Sequence, residues 1–148
     1  MQFIFNKLDL ALVHPIPSNE RESTLNTIHA LLRRRGYSTS REVNLRGFSG
    51  REYHFEIAAT RVVAPKVNEK AMVQVADCRG GPPLSMDQAM KILVVAQDLG
   101  AKVLLFSIPQ LNVDVAGFLN FHNVAVFDGS NWQDVMSDFL LRYDRSLE

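Results

Sequence analysis

The chain has 148 residues, 47% of them apolar and 22% charged, which fits one folded domain with a core of its own. Its 16 basic and 16 acidic side chains cancel, which excludes the strong positive charge of a dedicated nucleic-acid-binding domain. A single cysteine, Cys78, excludes an internal disulfide; no Cys/His cluster has zinc spacing, and no apolar run approaches a membrane span.

Residues 3–13 alternate apolar and polar in two phases that break near Asn6 and Lys7, which predicts an extended segment or an edge hairpin. The basic start and small-residue cleavage site of a secretory signal are missing, so a cytoplasmic location is expected. "HPIPS" then blocks regular structure, because each proline lacks a donor and restricts its predecessor. Asn19 and Glu22 have the form of a capping box, and Leu25, Ile28, Leu31 and Leu32 recur at helical spacing. Arg33, Arg34 and Arg35 fill the last turn of that helix, and Gly36 stops it.

Two strands are expected next, over 39–45 and 52–63, joined by the turn "GFSG" (47–50). Strict alternation along 52–63 places Tyr53, Phe55, Ile57 and Ala59 on one face and His54, Glu56 and Ala58 on the other. "APKVNEK" (64–70) reads as a loop before a third strand, 72–77. On that strand Gln74 and Ala76 share a face, just ahead of Gly80 and Gly81, like the rim of a pocket. Ser85 and Gln88 form a second capping box, and the helix runs through Ala89, Ile92, Leu93, Ala96 and Leu99 to Gly100. "KVLLFSI" (102–108) is a continuous apolar run, as a strand covered on both faces requires. A short helix over 113–122, a buried strand over 124–128 and a helix over 131–143 complete the chain. The last helix sets Trp132, Val135, Phe139 and Leu140 on its apolar side.

The order is therefore α-β-β-β-α-β-α-β-α. An antiparallel meander leads into crossover units that demand parallel neighbours, which makes an α/β layer sandwich around a mixed central sheet. The division is an N-terminal extension (1–19), a core (20–130) and the C-terminal helix (131–143), all in one domain.

Residues 1–70 carry a net charge of +4 and residues 71–148 one of −4, which suggests either a basic face on the first half or ordinary surface solvation. If the 52–63 and 72–77 strands pair, Glu56 lies near Gln74 and Ala76, and Glu22 approaches from the first helix. One carboxylate and one amide oxygen are part of the oxygen set that Mg²⁺ requires; Ala76 supplies nothing. Glu56 competes between metal ligand and salt-bridge partner. His54 competes between second ligand or proton shuttle and hydrogen-bonded structural residue. Cys78 reads most simply as a small buried hydrophobe.

"LLRRRGYSTSREVNLRGFSGREYHFEIAA" and "MVQVADCRGGPPLSMDQAMKILVVAQDLGAKVLLFSIPQLNVDVAGFLNFHNVAVFDG" resemble the Mrr-type restriction-endonuclease-like domains, related to archaeal Holliday-junction resolvases and the wider PD-(D/E)xK nucleases. The resemblance spans roughly residues 20–130 and rests on layout more than on an invariant motif. It implies a restriction-endonuclease-like three-layer sandwich and a Mg²⁺- or Mn²⁺-dependent site. Carried over by position, Glu56 stands where the family has its metal-binding Asp, and Gln74 stands at the Glu/Gln position. Ala76 stands where the catalytic lysine belongs, and Glu22 matches an acidic residue on the first helix.

Those departures decide what is expected. Loss of one cation at the reacting phosphate costs about 10²–10³ in rate, and Glu in place of Asp shifts the ligand oxygens. Lys91, Lys70 and Asp77 are the residues that would have to rebuild the site. The expected function is a nuclease-like domain, catalytically silent and without a cofactor, that binds nucleic acid or a protein partner. The alternatives are an active Mg²⁺-dependent DNA endonuclease and a structural homodimer module. Arg33, Arg34, Arg35, Arg41, Arg46 and Arg51 are the phosphate-contact candidates, although the first three also simply complement a helix C-terminus.

Overall fold

Apolar residues at helical spacing open the described part of the chain, residues 18–145 of a computed structural model. Helix α1 (Ser18–Arg34) buries Leu25, Ile28, Leu31 and Leu32 on one side and ends in Arg33 and Arg34. Residues 1–17 of the expected extended segment lie outside the described residues, and Ser18 and Asn19 are already helical. Asn19 is thus inside α1 rather than capping it, and the Glu22 carboxylate pairs with Arg41 at 3.3 Å.

Strands β1 (Ser38–Arg46), β2 (Glu52–Ala64) and β3 (Val67–Asp77) follow, then α2 (Met86–Leu99), β4 (Lys102–Ile108), α3 (Val113–Phe121), β5 (Ala125–Asp128) and α4 (Trp132–Arg145). The sheet order is β1-β2-β3-β4-β5; β2 is antiparallel to both neighbours, and β3, β4 and β5 run parallel. The α/β class and the mixed sheet expected from the sequence are therefore observed. Among the described residues no helix is long and apolar enough to cross a membrane.

"APKVNEK" is not a loop. Ala64 pairs with Val67, so Pro65 and Lys66 alone make the turn and β3 begins at Val67. Proline presets the first turn position, and Lys66 takes the left-handed φ of +65° that the second requires. Helix α2 starts as expected: Ser85 Oγ accepts from Gln88 N, Gln88 Oε1 accepts from Ser85 N, and Gly100 closes the helix in the left-handed conformation.

Each face of the sheet carries its own core. On one, Met72, Ala76, Val103 and Leu105 meet Ala89, Ile92 and Val95 of α2 and Val115 and Leu119 of α3. On the other, Ile57, Val73, Val75, Leu104, Phe106 and Phe127 meet α1 and the Trp132, Val135 and Phe139 stripe of α4. Leu140, expected in that stripe, is 45% exposed. It sits one position past Phe139, on the flank of the helix rather than under it.

Strict alternation along β2 fails at Glu56. The β1–β2 ladder pairs Arg41 with Ile57 and Val43 with Phe55 but skips Glu42 and Glu56, and Glu42 takes a left-handed φ of +52°. The hairpin rolls over at that point. Ile57 and Ala59 face α1, whereas Tyr53 and Phe55, with Val43 and Leu45, belong to the α2-side core. The far half of the hairpin thereby wraps α2, and its tip is latched to the end of that helix. Asp98 Oδ1 accepts from Ser49 N at 2.8 Å; Oδ2 accepts from Ser49 Oγ at 2.6 Å and from the Tyr53 hydroxyl at 2.7 Å.

The Ser49 hydroxyl first, then the Tyr53 hydroxyl, hold the Asp98 carboxyl below its usual range. A depressed folded pKa contributes stability that is present above the unfolded carboxylate value, about 3.9, and is lost as pH falls through the folded one. The stability gap between the wild type and Asp98→Asn, measured by urea unfolding at pH 7 and again below pH 4, should narrow at the acid end.

Candidate functional site at the β2–β3 fork

β2 and β3 pair only as far as Ile57 and Val73, while β3 continues beside β4 to Asp77 and Ile108. Beyond Ile57 the arms diverge, and this fork carries Glu56 on one arm and Gln74 and Ala76 on the other. β2 and β3 thus pair as expected, but the ladder ends one residue short of Glu56 and Gln74. Their environment differs from a cleft, because Ala71 to Cys78 are all buried. Gln74 is 4% exposed and Ala76 0%. Alternation from Met72 turns both toward α2, where Ala76 lies in one apolar cluster with Phe55, Leu84 and Ile92. Glu56 is half-buried, and its Oε2 atom is fully buried.

Glu22 lies apart from this pair. It is exposed on α1, which covers the opposite face, and it holds Arg41, whose Nη1 also donates to Asn26 Oδ1 at 3.2 Å. Strand alternation therefore separates Glu22 from Gln74 by the thickness of the sheet. The three rebuilding residues have other surroundings. Lys70 precedes Ala76 by six residues, about 20 Å along the strand. Lys91 is exposed and faces a groove beside Arg51 and Tyr53. Asp77, 1% exposed, is gripped by Arg79, whose Nε donates to Oδ1 at 3.0 Å and Nη2 to Oδ2 at 2.8 Å. That bidentate pair pins the loop after β3. His54 is hydrogen-bonded at both ring nitrogens, to Asn44 Oδ1 at 3.0 Å and Glu42 Oε2 at 2.9 Å, which fits the structural reading. Burial pushes the Cys78 thiol up to about 11, so it stays protonated and unreactive near neutral pH.

The donor set does not fit Mg²⁺. That ion takes near-octahedral oxygens, most of them water, and the fork offers the half-buried Glu56 carboxylate, the buried Gln74 amide and an Asp77 carboxylate already gripped by Arg79. Among the described residues no group of three or more His, Cys, Asp or Glu side chains is placed to hold a metal ion.

The arginines do not form one surface. Arg33, Arg34 and Arg35 lie where β1 starts, and Arg46 and Arg51 lie at its far end, about 26 Å along the strand. Arg41 is neutralised by Glu22, Arg46 faces Glu52 at 3.6 Å, and Arg61 is held by Glu69 at 2.6 Å. Three of the first half's arginines are thus paired with carboxylates of the same half. Sequence reasoning missed the Asp98 latch and the network in which Glu69 accepts from Tyr37 and Arg61. The Tyr37 hydroxyl, chiefly, holds the Glu69 carboxyl below its usual range. Partners in both lie up to 49 residues apart, so no local pattern marks them.

No protein-family model, curated protein or solved structure matches the chain.

Proposed function

We propose that the chain is a restriction-endonuclease-like domain that does not cut and instead binds nucleic acid or a protein partner. The five-strand order with only β2 reversed, and the fork between β2 and β3, support the family reading. The observation that carries the loss of chemistry is Ala76. The position of the family's catalytic lysine holds a methyl group with no exposure, inside an apolar cluster. A phosphodiester cannot reach it, and no cation stands there to stabilise charge developing on the phosphate. If the bound partner is nucleic acid, Arg33, Arg34 and, at the far end of β1, Arg51 are the candidates that remain: all three are exposed, and none has an ion pair among the described residues.

The test is incubation with single-stranded, duplex and branched DNA in Mg²⁺ and in Mn²⁺, with Glu56→Ala as control. No cleavage above background is expected from either protein. Cleavage by the wild type that disappears in Glu56→Ala contradicts the reading. Salt-dependent DNA binding that weakens in Arg33→Ala and Arg34→Ala favours nucleic acid, and no binding at low salt favours a protein partner.

A further inference from the structure

The start of β2 and the outer face of α2 enclose a groove of about 230 Å³, lined by Arg51, Tyr53, Met90, Lys91, Val94 and Val95. We propose that this groove docks an acidic peptide segment that inserts one large apolar side chain. The inference stands apart from the fork and holds whether or not the fork cuts.

Three features argue for that occupant. The floor is apolar and open to solvent: Met90 is 50% exposed and Val94 58%, one helical turn apart on the same side of α2. The volume lies below the roughly 300 Å³ at which small-molecule pockets begin, so it suits a single anchoring side chain rather than a nucleotide. The rim is cationic and available. Arg51 and Lys91 make no ion pair among the described residues, whereas Arg41, Arg46, Arg61, Arg79 and Arg142 all do. Of the neighbouring carboxylates, Glu52 faces Arg46, and Asp98 serves the hairpin latch while also feeling the Arg51 charge, with no ion pair between the two. Asp87, one turn before Lys91, is the acidic group left nearby. An apolar floor between two open cations complements an apolar residue flanked by carboxylates.

The probe is a labelled peptide with one Phe between pairs of Glu, compared with versions carrying Ala for Phe or Lys for Glu. The readout is the methyl resonance of Met90 in the full chain with ¹³C-methyl methionine, alongside fluorescence anisotropy. The Glu/Phe peptide should move the Met90 signal, and the two matched peptides should not. Affinity should fall about fivefold in Arg51→Ala or Lys91→Ala, and it should fall with added salt. Both substitutions are at exposed positions, and a thermal melt verifies each fold. An unmoved Met90 signal at millimolar peptide, or equal shifts from the Glu and Lys peptides, overturns the proposal. So does a larger shift from a DNA oligonucleotide than from the peptide.

Discussion

Phe106→Ala should lower the unfolding free energy by about 3–5 kcal/mol. Phe106 is fully buried on β4, between β3 and β5. Its ring stacks on Phe127 with centroids 5.2 Å apart and meets Phe139 edge-on at 5.0 Å; Phe127 and Phe139 close the triangle at 5.0 Å. The three rings tie β4, β5 and α4 into one contact, so truncation removes transfer energy, ring–ring attraction and packing from three elements at once. The neighbours are backbone-anchored on every side and collapse poorly into the space. Urea unfolding with a matched Phe121→Ala variant isolates the effect. Phe121 is 81% exposed, and its loss should cost less than about 0.5 kcal/mol. A Phe106→Ala loss under about 1 kcal/mol contradicts this packing.

Gly47→Ala should cost roughly 1–3 kcal/mol through steric overlap rather than lost contacts. A methyl group on Gly47 would overlap the Asp98 carboxylate, whose oxygens hold Ser49 and Tyr53. The added carbon must displace the carboxylate or lift the hairpin tip from α2. The mechanism is separable by a double-mutant cycle. If Asp98 is the obstacle, adding Gly47→Ala to Asp98→Ala should cost far less than adding it to the wild type. Additive losses would place the cost of Gly47→Ala in the backbone of the turn instead.

Legibility in the sequence followed the range of the interactions. The α2 helix was readable at both ends because its capping box and its left-handed glycine are set by residues three or four apart. "KVLLFSI" was readable as a strand covered on both faces because its apolar run carries that burial itself. The roll of the hairpin at Glu42 and Glu56 was not readable. It depends on a left-handed φ at a glutamate, which nothing nearby demands.

The pairing of the strands that carry Glu56, Gln74 and Ala76 follows from the meander, although the ladder ends at Ile57 and Val73, one residue short of Glu56 and Gln74. The alternation of Gln74 and Ala76 was taken for a pocket rim, yet α2 closes over both. Ala76 packs in one cluster with Leu84, Ala89 and Ile92, which the chain reaches only after leaving the strand. Glu22 was expected beside them because helix register alone does not say which face of the sheet α1 covers.

A domain that does not cut requires a fork closed to a metal ion. Crystals of the protein soaked in Mn²⁺ and measured for anomalous scattering answer this directly. The packing of Gln74 and Ala76 beneath α2 predicts no Mn²⁺ peak between β2 and β3. A peak coordinated by the Glu56 carboxylate and the Gln74 amide oxygen would contradict it and restore a working metal site.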